Sequence, residues 1–100
     1  MTMANVPIDS LPIPPAALQE GGTEVLRAIL VQGRLEIALR RAFEEPEVWG
    51  LVIADIARHA ARIFATETAI SEGEALEKIR EIFAAELEAP TDLGLTSAIN

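Results

Sequence analysis

Apolar and polar positions alternate from Glu24 to Arg40 in two runs, Val25-Leu26-Arg27-Ala28-Ile29-Leu30-Val31 and Arg34-Leu35-Glu36-Ile37-Ala38-Leu39-Arg40, either side of Gln32-Gly33. A period of two is what a strand with one wet face produces, and the pattern predicts a β-hairpin. In the second strand Leu35, Ile37 and Leu39 share one face, and Arg34, Glu36, Ala38 and Arg40 the other. The first strand is less regular: an inner face of Leu26, Ala28 and Leu30 leaves Val25, Ile29 and Val31 outside with Arg27. Gln32-Gly33 shares only its glycine with the favoured Asn-Gly turn, so a bulge at the tip is compatible with the sequence. Because two strands alone are marginal in water, the hairpin needs helices on one face and a further strand, from the arm or a partner, along an edge.

From Glu47 onwards the period lengthens to that of a helix. Trp49, Val52, Ile53, Ile56, Ala60, Ile63 and Phe64 fall on one broad face, while Asp55, Arg58, His59, Arg62 and Thr66 gather opposite. Pro46 suits the first helical position, and Glu44, Glu45 and Glu47 put negative charge at the positive end of the helix dipole. Ser71-Glu72-Gly73-Glu74 has the form of a capping box and opens a second helix, in which Ala75, Leu76, Ile79, Ile82, Phe83 and Leu87 recur at helical spacing. Ala89-Pro90 ends it. The predicted fold class is α+β, an antiparallel hairpin packed on two antiparallel helices.

Before the hairpin, Pro7, Pro12, Pro14 and Pro15 oppose helix through most of residues 1–22 and predict an extended, proline-rich arm. Val6, Ile8, Leu11, Ile13 and Leu18 make that arm too apolar for a purely solvated tail, so part of it should lie along the domain or a partner. The expected organisation is arm 1–22, a single α+β domain 23–90 and a C-terminal tail 91–100.

The 100-residue length allows one modest core, and the absence of cysteine removes disulfides and thiolate zinc sites as supplements to it. Met1 to Ser10 lacks the basic start and apolar run of a secretory signal, and no stretch has the 18 or so apolar residues of a membrane span. The expectation is a cytoplasmic protein with no membrane contact. The formal charge of −8 is concentrated near the C-terminus, where Glu72, Glu74, Glu77, Glu81 and Glu88 make the second helix acidic. Such a face usually serves solubility, and it would also suit a basic partner. Seven of the eight basic residues are arginine, which grips phosphate or carboxylate in bidentate fashion where lysine does not. GC-rich codon usage is the plainer cause of that bias.

The stretch Val48-Trp49-Gly50-Leu51 with Ala54-Asp55-Ile56-Ala57-Arg58-His59-Ala60-Ala61-Arg62, followed by Glu74-Ala75-Leu76 and Ile79-Arg80-Glu81-Ile82-Phe83, resembles a small bacterial family of undefined function. The resemblance runs from Glu24 to about Thr91. It implies a hairpin plus two helices in a free-standing polypeptide, and it brings no activity, cofactor or catalytic residue with it.

The densest reactive cluster is Asp55, Arg58, His59 and Arg62, with spacing that sets Asp55 beside His59 and Arg58 beside Arg62. A carboxylate could orient the imidazole as a general base while two guanidiniums clamp an anion. An ordinary solvated helix face looks the same, with each pair contributing only about 0.2–0.5 kcal/mol. One histidine and one carboxylate supply two ligands where zinc needs at least three, and Gly21-Gly22 and Gly33 stand outside any phosphate loop; neither metal nor cofactor is expected. Arg27, Arg34, Arg40 and Arg41 could track a polyanion. Nucleic-acid modules, however, add aromatic platforms to a basic stripe, and here Trp49, Phe64 and Phe83 lie on helical stripes, leaving only Phe43. An acidic pI near 4.5 disfavours nucleic acid further.

The outer apolar residues Val25, Ile29 and Val31 are the strongest pointer to a role, since an uncovered sheet face or edge promotes association. The reading is a non-enzymatic interaction or regulatory module that self-associates as a homodimer. Any ligand or further protein partner would meet Arg34, Arg40, Arg58, His59 and Arg62. Rival readings are polyanion binding through the hairpin arginines, and an enzyme built on Asp55 and His59 that requires a concave pocket with a second polar wall.

Overall fold

The computed structural model describes residues 6–92, 94 and 96. The elements in chain order are α1 (Pro15–Glu20), β1 (Leu26–Val31), β2 (Arg34–Leu39), α2 (Glu47–Glu67) and α3 (Glu72–Glu88). The arrangement is α+β, with an antiparallel two-stranded hairpin and two long helices.

The hairpin register runs without a bulge from Leu26 opposite Leu39 to Val31 opposite Arg34. Gln32 and Gly33 both take positive φ, 51° and 80°. That is the two-residue turn whose twist matches the strands, with glutamine where asparagine is usual. The register stacks Leu26 with Leu39, Ala28 with Ile37 and Leu30 with Leu35 on one face, and that face carries no polar side chain.

The arm departs from expectation by containing a helix. Pro14 stays extended (ψ 140°), and Pro15 takes the first helical position, where its missing N–H costs nothing. Gly21, at φ 77°, stops the helix after one and a half turns. Among the described residues the arm adds no strand to the sheet. Residues 1–5 of the arm, and 93, 95 and 97–100 of the tail, lie outside the described residues.

α2 begins one residue later than predicted, with Pro46 at its N-cap already in helical conformation. It ends where Thr68 donates both its N–H (2.9 Å) and its hydroxyl (2.6 Å) to the Phe64 carbonyl. The chain then folds back into α3. There the Glu74 N–H donates to Ser71 Oγ at 3.1 Å, as a capping box requires. Burial in the helix pair centres on alanines: Ala61 is fully buried and Ala75 nearly so, with Ala57, Ala60, Ala65, Leu76 and Ile79 half-buried. The exposed Arg62–Glu72 ion pair, 3.7 Å, links α2 to the start of α3.

Two expectations about packing are corrected. The large residues of the helical stripes, Ile53, Ile56, Ile63, Phe64, Ile82, Phe83 and Leu87, were expected in a core and are 40–71% exposed. The hairpin was expected against the helices, but within one chain β1 packs only with β2, and α2 only with α3. The chain is correspondingly spread: its radius of gyration is 16.2 Å, against about 13 Å for a compact chain of this length. Its accessible surface is 9283 Å², whereas a folded monomer of this mass exposes about 5,500 Å².

The reason lies at the corner between β2 and α2. Ala42 has φ 65°, and Phe43 N–H donates to the Arg41 carbonyl at 2.7 Å, a tight positive-φ turn of the strained kind. Trp49 Nε1–H donates to the same carbonyl at 2.7 Å, and its ring meets Phe43 edge to face, centroids 5.6 Å apart. Trp49, expected in the stripe packing, thus serves as a clamp that sets how the hairpin leaves the helix.

Candidate functional site

The most extensive feature built by these elements is a pair of uncovered apolar faces. On the hairpin, the continuous register brings Leu30, Leu35, Ile37 and Leu39 to one side, all 38–74% exposed. On α2, Ile53, Ile56, Ile63 and Phe64 project within roughly 100° of arc, centred roughly 100° round the helix from the alanine seam. Val25 and Ile29, on the opposite face of the hairpin, are half-buried, and Val31 beside them is 39% exposed.

The two-sidedness of β1 was visible in the sequence; the size of the bare inner face was not. Leu30, Leu35, Ile37 and Leu39 have the alternation of a face turned to the helices, and only the register together with the clamped corner shows that no other described element covers them. Leu51, 72% exposed on α2 near Asp55 and Arg58, was also missed. It falls outside the apolar stripe, and no sequence signal singles it out.

The polar candidates fall into two separate groups. Arg34 and Arg40 stand at opposite ends of β2, about 20 Å apart at strand rise. Arg34 lies 3.7 Å from Glu36, and Arg40 Nε donates to the Glu24 carbonyl at 2.9 Å. Beside them Arg27 makes a bidentate contact with Glu24, at 3.1 and 3.0 Å. That hydrogen bond, and next the Glu24 charge, raise the Arg27 pKa above its ordinary value. Arg58, His59 and Arg62 lie on α2, which the hairpin does not touch.

His59 Nε2 and Asp55 Oδ2 are 3.7 Å apart, beyond hydrogen-bond length, and both side chains are largely in solvent. The open depression beside them, about 460 Å³, is lined only by α2 residues, among them Leu51, Asp55, Arg58 and His59. The second polar wall that an Asp55–His59 catalytic pair requires is therefore not supplied by another element. Among the described residues no three His, Asp or Glu side chains group as a metal site would require, and no helix is long and apolar enough to cross a membrane. Phe43, the aromatic left over for base stacking, is half-buried against Trp49.

Residues 10–91 match a family model described as a domain of unknown function, DUF5076. A solved structure from the photosynthetic bacterium Rhodopseudomonas palustrus CGA009, of a protein provisionally named a pyruvate dehydrogenase, is 48% identical. The likeness covers 96% of this chain and all of that one, with a TM-score of 0.78. No curated protein matches.

Proposed function

The chain belongs to the DUF5076 family of unknown function, and we propose that it acts as a small interaction or regulatory module by pairing with a second copy of itself. One observation carries this reading. Each chain exposes about 3,700 Å² more than a folded monomer of its mass should, and the bare hairpin and α2 faces share that surplus with the exposed arm. Even half of it, contributed by each of two chains, reaches the 2,000–5,000 Å² typical of obligate homodimers. At about 25 cal/mol per Å² such burial is a large driving force, and a monomer would forgo it. The smaller patch of Val25, Ile29 and Val31 adds to the associating surface. Arg34, Arg40, Arg58, His59 and Arg62 are where we place contact with a further partner.

The solved relative's name is not a basis for an oxidative role here. A dehydrogenation needs an electron acceptor held beside its substrate, and the α2 depression, open and one-walled, does not fit that task. The test of the proposal is mass in solution. Light scattering at micromolar concentration should return twice the 10.8 kDa chain mass, and a monomer mass throughout that range would refute it.

A further inference from the structure

We infer that the dimer is reciprocal: the hairpin of one chain lies on the α2 face of the other, and the second hairpin returns the contact. This rests on the self-pairing reading above and goes beyond it by naming which surfaces meet. The clamped corner holds each hairpin off its own helices, with the Arg41 carbonyl receiving both the Phe43 N–H and the Trp49 indole. Each chain therefore carries a bare sheet face and a bare α2 face, both apolar, that do not touch within the chain, with Ile82, Phe83 and Leu87 of α3 exposed as well. A two-fold exchange covers all four faces at once, because the contact of sheet i on helix j repeats as sheet j on helix i. Pairing hairpin to hairpin would leave both α2 stripes in water, and pairing helix to helix would leave both sheets bare.

Dimensions and charge agree with the exchange. A six-residue strand spans about 20 Å, and the α2 stripe from Ile53 to Phe64 runs about 17 Å, so one can lie along the other. The hairpin segment Thr23–Arg41 holds four arginines and two glutamates, whereas α3 holds six glutamates against one lysine and one arginine. A hairpin docked beside a partner's α3 therefore brings opposite charges to the rim of the contact, the arrangement that favours the correct pairing and speeds encounter. The inner face itself has no charge to desolvate.

The chain has no cysteine, which permits a clean cross-linking test in the full-length protein. Ile37→Cys and Ile56→Cys chains, prepared separately, are mixed, unfolded, refolded together and treated with a short bis-maleimide. Reciprocal exchange predicts covalent dimers joining the two different chains, and little product from either variant alone. Efficient cross-linking of Ile37→Cys with itself, an intrachain product in the double variant, or no mixed product would each overturn the inference. A dimer mass with any of these results refutes the exchange and leaves self-pairing standing, whereas a monomer mass refutes both.

A second measurement does not depend on the cross-linker. Ile37→Asp should weaken the dimer at least ~100-fold, since it places a charge in an apolar contact, while Leu51→Asp, at an exposed α2 position outside the stripe, should change it by about fivefold or less. Equal effects, or the reverse order, would sink the inference. Because Ile37 is half-exposed and outside any intrachain core, the variant chain keeps its elements, and circular dichroism verifies that they form.

Discussion

Hairpin and helix pair are both two-element units that close their backbone hydrogen bonds locally, but they differ in what their side chains find to touch. The α2–α3 pair meets through alanines and buries Ala61 and Ala75. The hairpin buries no residue and depends on cross-strand pairs such as Leu30 with Leu35. Small residues let two helices approach closely at the expense of buried area, and the bulky residues of α2 project elsewhere. The lesson is that neither unit is self-sufficient: a sheet two strands wide and a helix pair joined through alanine each need a second layer. The chain supplies both layers, and the corner at Arg41–Phe43 keeps them apart.

The contrast is broken most strongly at the seam. Ala61→Leu forces three extra carbons into a fully buried position and should destabilise the protein by about 1–3 kcal/mol, read as a lower midpoint in denaturant at fixed protein concentration. An unchanged midpoint would show the alanine seam to be loose, and the helix pair no better packed than the hairpin. A smaller effect is expected at the corner. Trp49→Phe keeps the ring against Phe43 but removes the indole donor to the Arg41 carbonyl, a loss of about 1 kcal/mol, measured in the same way. The smallest effect has the opposite sign. Ala42→Gly removes the left-handed strain of about 1–2 kcal/mol and incurs part of it back as unfolded-chain entropy, for a net gain of about 0.5–1 kcal/mol. If Ala42→Gly destabilises instead, the corner is not strained and does not explain why the hairpin stands apart.

Much of the architecture was legible from periodicity. The change from period two to 3.6 located both strands and both long helices, Gly33 marked the reversal, and Ser71 with Glu74 marked the start of α3. The short helix after Pro14 was hidden because proline opposes helix everywhere except at its first turn. The candidate site was less legible. Val25, Ile29 and Val31 drew notice as misplaced apolar residues, while Leu30, Leu35, Ile37 and Leu39 passed as core because a regular alternation looks the same whether or not something covers it. The alanine seam at Ala57, Ala61 and Ala65 escaped because it runs roughly 100° round α2 from the bulkier stripe.

Local features, which depend on residues within a turn or two of one another, were determined by the sequence alone: the place of the hairpin reversal, the Ser71 cap of α3, the composition of each face and the absence of any thiol. Which faces meet was decided only in three dimensions. That choice turns on the Trp49 indole, eight residues from the carbonyl it holds, and on the angle at Ala42, and no periodicity in the chain encodes either. The bulky apolar side chains of the hairpin and α2 therefore carry an ordinary core pattern, and only the spatial arrangement shows that no other described element of the chain covers them.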